Sequence, residues 1–225
     1  MTKVKICGIT NLADAHLSLE AGADLLGFNF YCPSPRYVAP EVAADITATL
    51  RATFTLSFRC VGVFVNESLD VMRAIQQQCQ LDLLQLHGDE TPADVAALAP
   101  WAFKALRVRS VAEAKDWISP SPSTPLPQGD GRIAPRFLVD STHPNLYGGT
   151  GTTGNWDAAR DIAMRYPILL AGGLNPSNVA DAIRAVRPWG VDVASGVERA
   201  TGLKDEAKVR EFVAVVKRKT RNVKR

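Results

Sequence analysis

The sequence predicts an α/β fold of the (β/α)8 kind: a closed TIM barrel in one domain spanning residues 1–225. Three observations point there. Short β-branched or apolar runs alternate with amphipathic stretches of helical period, the signature of βαβ units. The alternation repeats eight times, which fits a closed barrel better than an open doubly wound sheet. The length, 225 residues, suits one large core, since barrels commonly run to roughly 200–250 residues.

In order, Val4 to Ile9 reads as the first strand, and Asn11 caps a helix with Leu12, Ala15, Leu19 and Ala23 on its apolar side. Leu25 to Phe30 is the second strand, and Pro40 opens a helix through Leu50, as suits proline in a first turn. Cys60 to Val65 is the third strand, and Ser68 caps the next helix. Strand Leu83 to His87 precedes a helix begun at Thr91-Pro92. Phe103 to Val108 and Val111 to Trp117 make the fifth unit, and Arg136 to Ser141 leads to a helix beginning near Asp157. Ile168 to Ala171 with Asn178 to Val186, then Val191 to Ala194 with Asp205 to Lys217, complete the count. The Pro-, Ser- and Gly-rich stretch Ser119 to Pro135 has no hydrophobic period and reads as a surface insertion at the N-terminal face, dispensable for catalysis.

Hydrophobic content of 46% with 22% charged residues places the chain among globular proteins and excludes the disordered class. The net charge of +3 is concentrated in the basic tail from Lys217 to Arg225. That tail reads either as a polyanion-binding arm or, more simply, as the solvated end of a last helix, where cations suit the macrodipole. No signal-peptide pattern follows Met1 and no apolar run is long enough to span a bilayer, so a cytoplasmic location is expected. The four cysteines, Cys7, Cys32, Cys60 and Cys79, form no C-x-x-C pair and read as free thiols, with no metal site indicated.

In a barrel, chemistry belongs at strand C-termini. Those ends offer Cys7, Asn29 with Arg36 in the loop beyond it, Asn66, His87, Arg107, Asp140, Gly172-Gly173 and Ser195-Gly196. Three glycine-rich stretches follow the last three strands: residues 147–154, 171–175 and 194–198. Glycine lets backbone N–H groups approach an anion closely, and the loops after strands seven and eight are the usual phosphate site of this architecture, so a phosphorylated small molecule is the expected substrate. Asp140 follows the apolar run Phe137-Leu138-Val139 and must meet a partner or the pocket mouth, because an unpaired buried charge is costly. Cys7, on composition alone, reads as a small core residue. Arg36, stiffened by Pro33 and Pro35, reads as a carboxylate clamp or a surface arginine beside a rigid turn. His87 fits a proton shuttle, a substrate contact or a polar strand end.

Residues 5–10 (KICGIT), Ala21-Gly22-Ala23-Asp24, Ser34-Pro35-Arg36-Tyr37, residues 61–66 (VGVFVN), Gln85-Leu86-His87-Gly88-Asp89, Gly148-Gly149-Thr150-Gly151, residues 170–176 (LAGGLNP) and residues 190–198 (GVDVASGVE) together resemble the phosphoribosylanthranilate isomerases. The resemblance runs from Lys3 to about Phe212. It implies an Amadori rearrangement in tryptophan biosynthesis that needs no metal or organic cofactor. By resemblance Asp140 is the general acid that opens the ribose ring, and Cys7 is the general base that takes the C2′ proton. Arg36 then binds the anthranilate carboxylate, Gly172, Gly173, Ser195 and Gly196 hold the phosphate, and His87 lines the pocket. The acid must be protonated when it acts and the base must be thiolate, although free groups titrate near ~3.9 and ~8.5, so both need help from their surroundings. No nucleic-acid or membrane partner is implied, and monomer and homodimer are both compatible. A pentose-phosphate epimerase would bring metal-binding histidines, whereas His16, His87 and His143 are scattered.

Overall fold

The predicted alternation is built as a ring. A computed structural model describes residues 1–55, 57–107, 117, 134–140 and 156–222, with side chains only as far as 218. Eight parallel strands follow one another around a closed barrel: β1 (Lys3–Cys7), β2 (Leu25–Asn29), β3 (Arg59–Phe64), β4 (Leu83–Leu86), β5 (Ala102–Arg107), β6 (Phe137–Asp140), β7 (Ile168–Ala171) and β8 (Gly190–Val193). Strand β8 pairs back onto β1, with Lys5 opposite Asp192 on that side and opposite Leu25 of β2 on the other.

Helices cover the outside: α1 (Leu12–Glu20), α2 (Pro40–Thr53), α3 (Leu69–Gln78), α4 (Pro92–Ala97), α5 (Trp156–Ala163), α6 (Val179–Val186) and α7 (Glu206–Asn222). The expected starts have physical caps. Side chains of Asn11, Ser68 and Thr91 accept from backbone N–H groups of the first turn, and Asp94 returns the bond to make a full capping box at α4. Asn178 departs from expectation, because its side-chain oxygen accepts from Asn175 N instead of capping α6. The last helix continues past Lys217 to Asn222, since its Lys- and Arg-rich end consists largely of good helix formers. The expected fifth helix (111–117) lies outside the described residues apart from Trp117, as does the 119–135 insertion apart from Ala134 and Pro135. A short hairpin that the pattern does not announce, β9 (Glu198–Ala200) with β10 (Leu203–Lys204), leads into α7.

Alternation along each strand sorts side chains to inside and outside. Val4, Ile6, Leu26, Phe28 and Leu84 belong to the large apolar layer between strands and helices. Leu25, Val61, Leu83, Phe103, Leu138 and Leu169 form a separate apolar cluster that plugs the barrel. Truncating one of these plug residues to alanine costs about 2–5 kcal/mol in a close-packed interior. Above this plug the interior turns polar: Gln85 stands two residues beyond Leu83 on β4, and β1 and β8 bring Lys5 and Asp192 to it; two residues further along β1 and β4 come Cys7 and His87 at the rim. The plug thus sets a floor, and everything above it is available for chemistry.

Candidate active site

A cavity of about 340 Å³ opens at the C-terminal end of the barrel. It is lined by Cys7, Arg36, His87, Asp140, Gly172, Gly173 and Ser195 among others, so seven of the eight residues to which the family resemblance gives a role meet in one place. Gly196 is the exception. It does not line the cavity; a β carbon there would overlap the carbonyl oxygen of Leu174, so its role is to let the loop after β8 lie against the loop after β7. Gly172 and Gly173 adopt φ of 104° and 62°, a region glycine occupies without strain, and this turns their chain across the pocket mouth. Asn66 and Arg107 do not join the lining. Asn66 instead accepts from Asp89 N and its own N–H donates to Glu90, tying together the loops after β3 and β4. The glycine-rich stretch at 147–154 lies outside the described residues.

The loop carrying Arg36 is held by its own side chains: Asn29 Nδ2 donates to Ser34 Oγ (3.0 Å), which also accepts from Arg36 N (3.2 Å). Arg36 then donates from Nε and Nη2 to the two oxygens of Glu198 at 2.8 and 2.7 Å. Lys204 donates both to Glu198 Oε1 (2.9 Å) and to the carbonyl of Cys7 (2.6 Å). Burial works to raise the Glu198 carboxyl, but Arg36 and Lys204 outweigh it and hold it below its ordinary value. The side edge of the Arg36 fork is therefore taken by the protein, and the end edge, Nη1 with the second hydrogen of Nη2, faces away from Glu198.

Beneath the rim, Lys5 Nζ donates to Asp192 Oδ1 (2.8 Å) and Gln85 Oε1 (3.0 Å). Gln85 Nε2 lies 2.8 Å from His87 Nδ1. An ammonium only donates, so the Gln85 oxygen must face Lys5 and its NH2 must face His87. The amide thus donates to Nδ1, and the imidazole is neutral with its proton on Nε2. Electrostatics agree: burial, the leading influence, lowers the His87 value despite the opposing carboxylate of Asp140. Cys7, which needs help to ionise, meets two opposed influences. Burial pushes the thiol above its ordinary value, with Lys5 the strongest opposing influence.

Five residues of this network, Lys5, Gln85, Asp192, Glu198 and Lys204, escaped the sequence reading. Three carried a usable signal, since Lys5 stands two before Cys7, Gln85 two before His87 and Asp192 two before Ala194, each on the inward face of its strand. Glu198 and Lys204 lie on the small hairpin, whose arrangement no local pattern announces. Among the described residues no cluster of three or more His, Cys, Asp or Glu is arranged to hold a metal ion, and no helix is long and apolar enough to cross a membrane.

Comparison with known proteins agrees with this geometry. Residues 4–215 match the family model described as N-(5'phosphoribosyl)anthranilate (PRA) isomerase. Proteins named N-(5'-phosphoribosyl)anthranilate isomerase are similar throughout: that of Pelobacter propionicus is 46% identical over 217 residues, covering 96% of each chain, and that of Trichlorobacter lovleyi is 48% identical over 214, covering 95% of this chain and 97% of its own. The crystal structure of phosphoribosyl anthranilate isomerase from Thermotoga maritima superposes with a TM-score of 0.81 at 38% identity, covering 96% of this chain and 99% of that one. Another, in complex with reduced 1-(o-carboxyphenylamino)-1-deoxyribulose 5-phosphate, does so with a TM-score of 0.77 at 34% identity and the same coverage. The chain belongs to the N-(5'-phosphoribosyl)anthranilate isomerase family.

Proposed function

We propose that this barrel converts N-(5-phosphoribosyl)anthranilate to 1-(2-carboxyphenylamino)-1-deoxyribulose 5-phosphate, the Amadori step of tryptophan biosynthesis, with Asp140 as acid and Cys7 as base. The observation that carries the reading is the convergence of a carboxyl, a thiol, an imidazole and an arginine on one cavity whose rim includes the loops after β7 and β8. The acid gives its proton to the furanose ring oxygen, the C1′–O bond breaks, and the anilino nitrogen supplies electrons to form the Schiff base. The thiolate then takes the C2′ proton, and the C2′–H electron pair forms the C1′=C2′ bond of an enolamine that tautomerises to the ketone. General acid–base assistance is worth about 10²–10⁴-fold per group.

The end edge of Arg36 suits the anthranilate carboxylate. Neutral His87 offers Nε2–H toward the pocket as a hydrogen-bond donor rather than a shuttle. The loops holding Gly172, Gly173, Ser195 and Gly196 receive the phosphate. In this reading the chain works as one domain in the cytoplasm, as a monomer or homodimer, on a small phosphorylated molecule, with no metal, organic cofactor, nucleic acid or membrane. The test is the fluorescence decay of freshly generated substrate on adding wild type, Cys7→Ser and Asp140→Asn. Acceleration by wild type that is lost in both variants is expected; no acceleration by wild type overturns the activity, and a fully active variant overturns that residue's role.

A further inference from the structure

The acid–base reading leaves unused the charged layer directly below the pocket. Lys5 is fully buried in the barrel, on β1 two residues before Cys7 and on the same face. A buried ammonium is tolerated only when its hydrogens are matched. It has three, and Asp192 Oδ1 and Gln85 Oε1 take two. The remaining direction is shown by the neighbouring strand. A β carbon built on Gly27, which pairs with Cys7 across β1 and β2, would lie 2.8 Å from Cys7 Sγ and 3.1 Å from Lys5 Cε. The sulfur and the last methylene of the lysine therefore both border the space that glycine leaves open.

We propose that Lys5 is a positioning residue for the isomerisation, its ammonium favouring the thiolate form of Cys7 that accepts the C2′ proton against the cost of burial. This rests on Cys7 being the base. Lys5 keeps its three protons throughout, and the proton that moves passes from C2′ to sulfur. The other charged groups around the sulfur are Asp192 from β8, Lys204 and Glu198 from the hairpin, Arg36 from the loop after β2, and His87 and Asp140 across the pocket. Glu198 is already matched by Arg36 and Lys204, and Asp192 opposes a thiolate, so Lys5 supplies the strongest favourable charge. The influence is mutual: burial draws the Lys5 value down, while Asp192 and Cys7 outweigh it and leave it raised. A purely structural ion pair would be indifferent to the state of the sulfur.

The test is the pH dependence of iodoacetamide alkylation of Cys7 in the full chain. A Cys32→Ser background removes the exposed thiol, while Cys60 and Cys79 are buried and pushed up to about 12 and about 11. In this background Asp192→Asn is expected to leave the Cys7 titration at or below its parent value. Adding Lys5→Met to it is expected to raise that titration by about a unit, a tenfold loss of alkylation rate at neutral pH. Coincident titrations for the two variants overturn the proposal. Should the double variant fail to fold, Cys7→Ser gives the reciprocal reading, because a lysine that faces a thiolate titrates lower once the sulfur is gone; an unchanged Lys5 titration, followed by its ¹³Cε resonance, overturns the proposal as well. Failure of the base assignment is seen separately, as turnover retained by Cys7→Ser.

Discussion

Arg36 and Glu198, 162 residues apart in sequence, form a two-bonded fork at 2.8 and 2.7 Å, in which the carboxylate side chain is 5% exposed and the guanidinium 23%. Arg36 is thereby fixed before any substrate arrives, and Lys204 donates to the same carboxylate, holding it in place from the hairpin. A pre-placed guanidinium loses little side-chain freedom on binding, so its contribution should appear in affinity. Glu198→Gln keeps the shape and removes the charge. The expected result is a KM raised about tenfold, the scale of one charge-assisted hydrogen bond, with kcat moved much less. A fall confined to kcat would show that Arg36 acts on the reacting atoms instead.

His87 is expected to be a neutral Nε2–H tautomer in the free enzyme, since Lys5 orients Gln85 and Gln85 leaves Nδ1 only the acceptor role. Ring ¹⁵N shifts should show a protonated Nε2 and a bare Nδ1 at pH 7 and remain so below the ordinary 6.5. Gln85→Glu places a carboxylate between Lys5 and the ring, so the proton should move to Nδ1 and the imidazole should hold a second proton to higher pH. A ring with Nδ1 protonated in wild type would contradict the relay.

Gly196 brings the two loops expected to cradle phosphate into contact, because nothing larger fits against the Leu174 carbonyl. Gly196→Ala must push the loop after β8 away from the loop after β7. The expected outcome is weaker binding of the phosphorylated substrate and weaker competition by inorganic phosphate, with a lower melting temperature. Unchanged inhibition by inorganic phosphate would place the anion elsewhere.

Strand ends and helix starts were legible in the sequence because they depend on local chemistry. Asn11, Ser68 and Thr91 cap where a short polar side chain precedes an apolar period, and each strand boundary falls within two residues of the apolar run that announces it. Cys7, Arg36, His87 and Asp140 were legible for a topological reason: a parallel barrel sends every strand end to one rim. What was not legible depends on pairing at long range. Nothing local tells Arg36 that its fork will be met by Glu198, or Lys5 that Asp192 closes the barrel beside it. The burial that raises the Cys7 thiol was hidden for the same reason, since it is a property of the closed ring.

Asp24 shows how the opposite end of the barrel is kept shut. It precedes β2, and its carboxylate accepts from Lys3 of β1 (2.8 Å), from Val4 N (2.9 Å) and from Lys217 of α7 (2.5 Å), joining the first strands to the last helix. Burial works to raise its value, but Lys217, Lys3 and the Val4 N–H outweigh this and leave it below the ordinary 3.8. A carboxyl depressed in the folded state contributes stability that is complete above its unfolded value and lost as pH falls through the folded one. The side chain is 19% exposed and Lys3 43%, so solvent screens part of the effect. Asp24→Asn should cost about 1–2 kcal/mol at pH 7, read as a lower urea midpoint, with kcat and KM unchanged because the cavity is at the other face. The difference from wild type should shrink as pH drops below 3.8 and narrow in high salt at pH 7. A gap that persists undiminished at pH 3 would mean that packing, and not the carboxylate charge, holds the last helix to the first strand.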